Sequence, residues 1–132
     1  MSLQQLIDGV SRVTGVAAVA VVDYEGIPIE MRAAVGAADA ERLAAWAAEL
    51  GRLAAETAES WDGGRLQLAL FESSMGSLML ADLGRGFLVV SGDPTLNTGR
   101  LRLEVERAVE PLRQFLAAGL TSRETMERAA SA

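Results

Sequence analysis

The side chains that most often carry out catalysis are missing from this chain. It holds no cysteine and no histidine. Thiolate nucleophiles, disulfides and thiolate-bound zinc are therefore excluded, along with the commonest general base and the commonest transition-metal ligand. All 12 cations are arginine and none is lysine, so Schiff-base chemistry and a phosphate-binding lysine are also out of reach. Any reaction would have to run on carboxylates, hydroxyls and guanidinium groups.

Four groupings of those residues could do chemistry. Gly84-Arg85-Gly86 is a glycine pair without the third glycine or the following helix of a dinucleotide loop, and it reads better as a hairpin turn. Ser73-Ser74-Met75-Gly76-Ser77 is superficially like a nucleophile elbow. It joins two expected strands, however, lacks the flanking glycines, and has no histidine to activate a serine. Asp23, Glu25 and Glu30 could meet a hard cation near the first hairpin, but they lack calcium-loop spacing and are more simply solvated turn carboxylates. Arg85, at a loop tip, could reach a nucleotide held by a partner; an exposed loop arginine is the plainer reading. We assign no catalytic residue, no metal ligand and no cofactor.

Composition narrows the partners. A chain of 132 residues, half of them apolar and 23% charged, is the size of one domain with an ordinary core. Its net charge is −6 and its pI near 4.6, with the arginines scattered, so no electrostatic footprint for nucleic acid exists. The amino terminus carries no basic region ahead of an apolar run, and no stretch is long enough to insert in a membrane. A soluble, cytoplasmic protein is expected.

The elements follow from periodicity. Leu3, Leu6, Ile7, Val10 and Val13 form a helical stripe over Ser2 to Thr14, with Ser2 and Gln5 as a capping box and Gly15 as the stop. Val16 to Val22 is small and apolar on both faces, as in a strand covered above and below. Asp23-Tyr24-Glu25-Gly26 turns the chain into a second strand with Ile27, Ile29 and Met31 on one side, where Pro28 favours a sheet edge or a strand start. A long alanine-rich helix from about Asp39, its expected N-cap, to Ser60 is closed by Asp62-Gly63-Gly64. Three strands then follow at Arg65 to Glu72, Ser77 to Asp82 and Phe87 to Ser91, with spacers short enough for an antiparallel meander. Asp93-Pro94 leads to a last helix from around Asn97 to Ala118, which Pro111 should kink. Residues 119–132 read as a polar tail or a short, loosely attached helix.

The order is helix, two strands, helix, three strands, helix, an α/β sandwich with helices on both faces of the sheet. The long helix is the element that points to function. Stepping about 100° per residue, Leu43, Trp46, Ala47, Leu50, Leu53, Ala54, Thr57 and Trp61 share one arc, and Ala44, Ala48, Gly51, Ala55 and Ala58 form a strip of small residues beside it. The apolar circumference is roughly 200°, twice what one core needs. The expected arrangement lays the large arc on the sheet and leaves the small strip for a second copy of the helix. Glycine within a helix costs about 1 kcal/mol relative to alanine, so Gly51 wants a packing reason. Leu66, Leu68 and Leu70 are expected on one face of a third strand without proline, which as an edge would invite strand addition.

Across residues 1 to about 118 the chain resembles the roadblock/dynein-light-chain family, in its bacterial MglB-like branch. The resemblance rests on Gly15-Val16, on Val21-Val22-Asp23-Tyr24-Glu25-Gly26-Ile27-Pro28-Ile29, on the alanine-rich second helix, and on Asp93-Pro94 through Gly99-Arg100-Leu101-Arg102. It implies a five-stranded antiparallel sheet, profilin-like in outline, with the first and last helices on one face and the long helix on the other. It also implies a homodimer joined through the long helices and third strands. Together with the small strip, this gives an expected dimer face of Ala44, Ala47, Ala48, Gly51, Ala55, Ala58, Leu66, Leu68 and Leu70. Family members bind small Ras-like GTPases, in some cases promoting GTP hydrolysis without donating a catalytic arginine, or serve as non-enzymatic adaptors and scaffold subunits. Arg42, Glu49, Arg52 and Glu56, which project from the remaining side of the long helix, are the candidate partner contacts.

Overall fold

The computed structural model describes residues 2–33 and 40–131. Its elements are α1 (Leu3–Ser11), β1 (Val16–Asp23), β2 (Pro28–Ala33), α2 (Ala40–Ser60), β3 (Leu68–Ser73), β4 (Gly76–Asp82), β5 (Gly86–Gly92) and α3 (Thr98–Ser131). The strands make one sheet in the order β2-β1-β5-β4-β3, antiparallel throughout. The order and type of elements match the expectation. The expected N-cap Asp39 lies outside the described residues.

Period-2 alternation divides the strands between two cores. On one face Val19, Val21, Met79, Ala81, Leu88 and Val90 pack against Ile7 and Val10 of α1 and Leu101, Val105, Ala108, Leu112 and Leu116 of α3. On the other, Ala18, Ala20, Val22, Leu80, Phe87 and Val89 pack against Leu43, Ala44 and Ala47 of α2. The central strands are therefore apolar on both faces through their middle residues, as their sequences indicate. β2 and β3 are the edges, and Pro28 opens β2 opposite an irregularity in the β1 register, a strand start on an edge where proline is tolerated.

Local chemistry sets the ends of the elements. Ser2 and Gln5 form the expected capping box: the Ser2 Oγ accepts from the Gln5 N–H at 3.2 Å, and the Gln5 Oε1 accepts from the Ser2 N–H at 2.8 Å. Asp23 Oδ1 accepts from the N–H groups of Glu25 and Ile27, both at 2.9 Å, and ties off the β1–β2 turn. Asn97 Oδ1 accepts from the Arg100 N–H at 3.0 Å and caps α3.

Three details differ from the expectation. α1 stops at Ser11, three residues early, and leaves Val13 to fill the core from a turn. β3 starts at Leu68 rather than Arg65, because the turn through Asp62 (φ 62°) and Gly64 (φ 77°) delays the strand. α3 runs without a break past Pro111 and Gly119 to Ser131, so no helix end marks the expected boundary at residue 118. Pro111 sits on the exposed side, where the carbonyl it frees can be hydrated.

Candidate functional site

α2 meets the sheet along the seam between its two arcs and not on the large arc alone: Leu43 and Ala47 from the large arc and Ala44, Gly51 and Ala58 from the small strip face inward. Ala44 and Ala47 have no exposure at all, Gly51 is buried and Ala58 is 5% exposed, all beneath their own helix. A Cβ at Gly51 would stand 2.3 Å from the ring of Phe87, so this glycine makes room for a phenylalanine rising from β5 and not for a second chain. Ala48 and Ala55 are half-buried and line a 320 Å³ cleft with Tyr24 and Phe87. Ala44, Ala47, Gly51 and Ala58 are thus removed from the expected dimer face, because the protomer's own core has already consumed them.

The large arc divides. Leu43 and Ala47 reach the core and Leu50 is half-buried, but Trp46 is 50% exposed, Leu53 58% and Trp61 68%. A helix of a folded monomer rarely keeps two tryptophans and a leucine in water along one flank. The flank faces the edge of the sheet. A groove of 660 Å³ runs between α2 and β3, walled by Leu50, Leu53 and Thr57 on the helix, by Trp61 just past its end, and by Ala69 and Phe71 on the strand.

The third strand also corrects the expectation. Leu66 precedes β3 and packs with Ala69 toward α2, whereas Leu68 packs toward α1 and α3. Leu66 and Leu68 therefore do not share a face, since the chain is still turning at Leu66. Leu70 and Phe71 are both exposed, at 39% and 36%. The outer edge of β3 carries no strand partner among the described residues. Arg42, Glu49, Arg52 and Glu56 are exposed on the outer surface of α2, with Arg52 and Glu56 3.8 Å apart as an i,i+4 pair.

A polar cluster closes the end of the molecule where β1 turns into β2 and β4 into β5. Asp82, only 8% exposed, accepts from the Tyr24 hydroxyl at 2.6 Å and from the Gly84 N–H at 3.1 Å on its Oδ1, and its Oδ2 faces Arg65 at 3.6 Å. Arg113 of α3 donates to the Asp82 carbonyl oxygen at 3.0 Å. Burial, reinforced by the hydrogen bond to Asp82, pushes the Tyr24 hydroxyl up to about 12. Tyr24 also meets Phe87 edge-on, with ring centroids 5.1 Å apart. No local pattern announces this cluster, whose hydrogen-bonded members Tyr24 and Asp82 stand 58 residues apart. The exposed tryptophans did leave a signal: the chain's only two fall on one arc when the helical spacing of α2 is carried one residue past its end.

Chemically, the cluster is a structural tie: its one buried carboxylate is engaged on both oxygens. Among the described residues no group of acidic side chains could hold a metal ion, and no helix is long and apolar enough to cross a membrane. What the surface does present is an apolar flank, a strand edge and charged side chains on the outer side of α2.

Known proteins share this architecture. Residues 3–91 match the model of the Roadblock/LC7 domain. An uncharacterized protein of Methanocaldococcus jannaschii is 30% identical over 103 residues, spanning 78% of this chain and 90% of its own. Among solved structures, a Roadblock/LC7 domain from Streptomyces avermitilis superposes with a TM-score of 0.78 at 21% identity, covering 89% of this chain and 99% of that one. The gliding protein MglB of Thermus thermophilus superposes at 0.75 with 21% identity, covering 83% and 84%. Myxococcus xanthus MglB superposes at 0.73 with 22% identity, covering 86% and 90%. The matched span takes in every strand and the helices α1 and α2, and with it the chain belongs to the Roadblock/LC7 domain family.

Proposed function

We propose that two copies of this chain pair through the exposed flank of α2 and the edge of β3, and that the pair regulates a small Ras-like GTPase. The observation that carries the reading is the apolar flank itself. Trp46, Leu53 and Trp61 lie in water on a lone protomer, next to an unpaired strand edge whose Leu70 and Phe71 are also exposed. Pairing would bury both at once. The solved structures with this fold include one described as MglB in a tetrameric arrangement, which supports self-association as a habit of the architecture.

The GTPase part of the reading rests on the family resemblance and on the similarity to the MglB structures. Arg42, Glu49, Arg52 and Glu56 would stand on the outer surface of the paired helices as partner contacts. As the family resemblance implies, stimulation would work by reshaping the GTPase's own site and not by a donated catalytic arginine. The test is single-turnover GTP hydrolysis by a co-purifying GTPase from the native host, with and without this protein. A rate that rises with protein concentration to a plateau supports a stimulating regulator. A flat rate in the presence of measured binding rejects stimulation and leaves an adaptor or scaffold subunit.

A further inference from the structure

Three arginines converge on a second cleft, which the pairing face does not explain. It has a volume of 410 Å³ and lies between the segment ahead of β3, the β4–β5 turn and α3, where Arg65, Arg85 and Arg113 stand with Asp82, Leu66 and Ala117 along its lining. The chain as a whole carries −6, yet this lining holds three guanidinium groups against one carboxylate. That carboxylate is already engaged by Tyr24, Gly84 and Arg65. The donors are not used up in the same way. Arg85 is exposed at the tip of its turn, and its side chain has no hydrogen bond or ion pair among the described residues. Arg65 is 78% exposed with a single ion contact of 3.6 Å. Arg113 is held in place by its bond to the Asp82 carbonyl oxygen and by a 3.6 Å contact with Glu110 on its own helix, and it remains 45% exposed.

We infer that this cleft binds a carboxylate-rich peptide segment of a partner protein. Each guanidinium offers five N–H donors and no acceptor, so the cleft needs a ligand that brings acceptors. Because the three cations come from three separate elements, the positive charge is spread along the rim and suits several carboxylates in a row. Asp82 on the floor works against one compact anion at the centre. Leu66 and Ala117 give an apolar side chain a wall to lie on. The inference does not depend on any GTPase; Arg65, Leu66 and Gln67 also border the groove between α2 and β3, whereas Arg85 and Arg113 do not.

The probe is a synthetic peptide with blocked ends, Glu-Glu-Leu-Glu-Glu, titrated into the isotope-labelled full chain and followed by amide chemical shifts. Saturable shifts confined to residues 65–67, 83–86 and 113–117 are expected, with an affinity that falls as salt is raised. Arg85→Ala, which breaks no internal contact, should weaken binding about fivefold, the upper end for one exposed ion pair. Arg12→Ala is the control. Its side chain is likewise unpaired among the described residues, but it lies near the Val16–Gly92 end of the sheet, away from the Asp23–Gly86 end where Arg85 stands. The proposal is overturned if the glutamate peptide moves nothing. It is equally overturned if the matching glutamine peptide or inorganic phosphate produces the same shifts with the same affinity, or if Arg12→Ala weakens binding as much as Arg85→Ala.

Discussion

Tyr24 is the only tyrosine in the chain, so its ionisation can be followed by tyrosinate absorbance without interference. Its folded value is raised from 10.0 to about 12, first by burial and then by the Asp82 carboxylate that accepts its hydrogen bond. The unfolded chain therefore loses this proton first. The stabilisation is fully present below pH 10 and is lost as pH climbs toward 12. The denaturation midpoint should fall across that window, and Tyr24→Phe, which has no proton to lose, should flatten the fall. At neutral pH the same variant should cost about 1 kcal/mol, the net worth of a typical hydrogen bond. Gly86 makes a harder demand. A Cβ there would stand 2.0 Å from the Val22 carbonyl oxygen, which is backbone and pinned between β1 and β5. Gly86→Ala should reach the upper end of the about 1–3 kcal/mol that overpacking costs, seen as a lowered melting temperature. Gly51 faces a side chain instead, so its clash with Phe87 can be relieved in part by ring movement, and Gly51→Ala should be the milder of the two.

At the scale of the element, the proposed pairing turns on α2. Leu53→Arg places a charge on the flank without disturbing the core, because Leu53 is 58% exposed in the protomer. Under the proposed pairing, sedimentation should find a dimer for the unaltered chain and the 13.9 kDa monomer for the variant, with helical circular dichroism unchanged. Charged residues at Ala48 and Gly51 would be the wrong probe, since the second would disrupt the packing on Phe87 before any dimer was tested. The capping box of α1, the proline at the head of an edge strand, the strands apolar on both faces and the order of elements were all legible in the sequence, because each depends on neighbours a few residues apart. The lateral placement of α2 was not. A helical wheel yields two adjacent apolar arcs, but which part of them meets the sheet depends on what the sheet presents. Here it presents Ala18 and Ala20 of β1, which let the helix close in, and Phe87 of β5, which only Gly51 can clear. Ala18 and Phe87 are 33 and 36 positions from Gly51 in the chain, beyond the reach of any local pattern. The arginine cleft was illegible for the same reason: Arg65, Arg85 and Arg113 are neighbours only after the sheet and α3 have assembled.

For the whole molecule, association and stability should be linked. If the native unit is a pair that buries the α2 flank, protomer concentration enters the folding equilibrium, and dilution should lower the melting temperature by a few degrees per tenfold step. Both tryptophans lie on that flank, half or more exposed in the lone protomer, so their fluorescence reports the same event. On pairing, the indoles leave water and the emission shifts to shorter wavelength. On dilution it should move back to the red over the same concentration range in which the melting temperature drops. Leu53→Arg should fix both observables at their dilute values. An emission that holds constant while sedimentation shows a dimer would place the contact on another surface, because no dimer formed through α2 and β3 can leave Trp46 and Trp61 as wet as they are in the single chain.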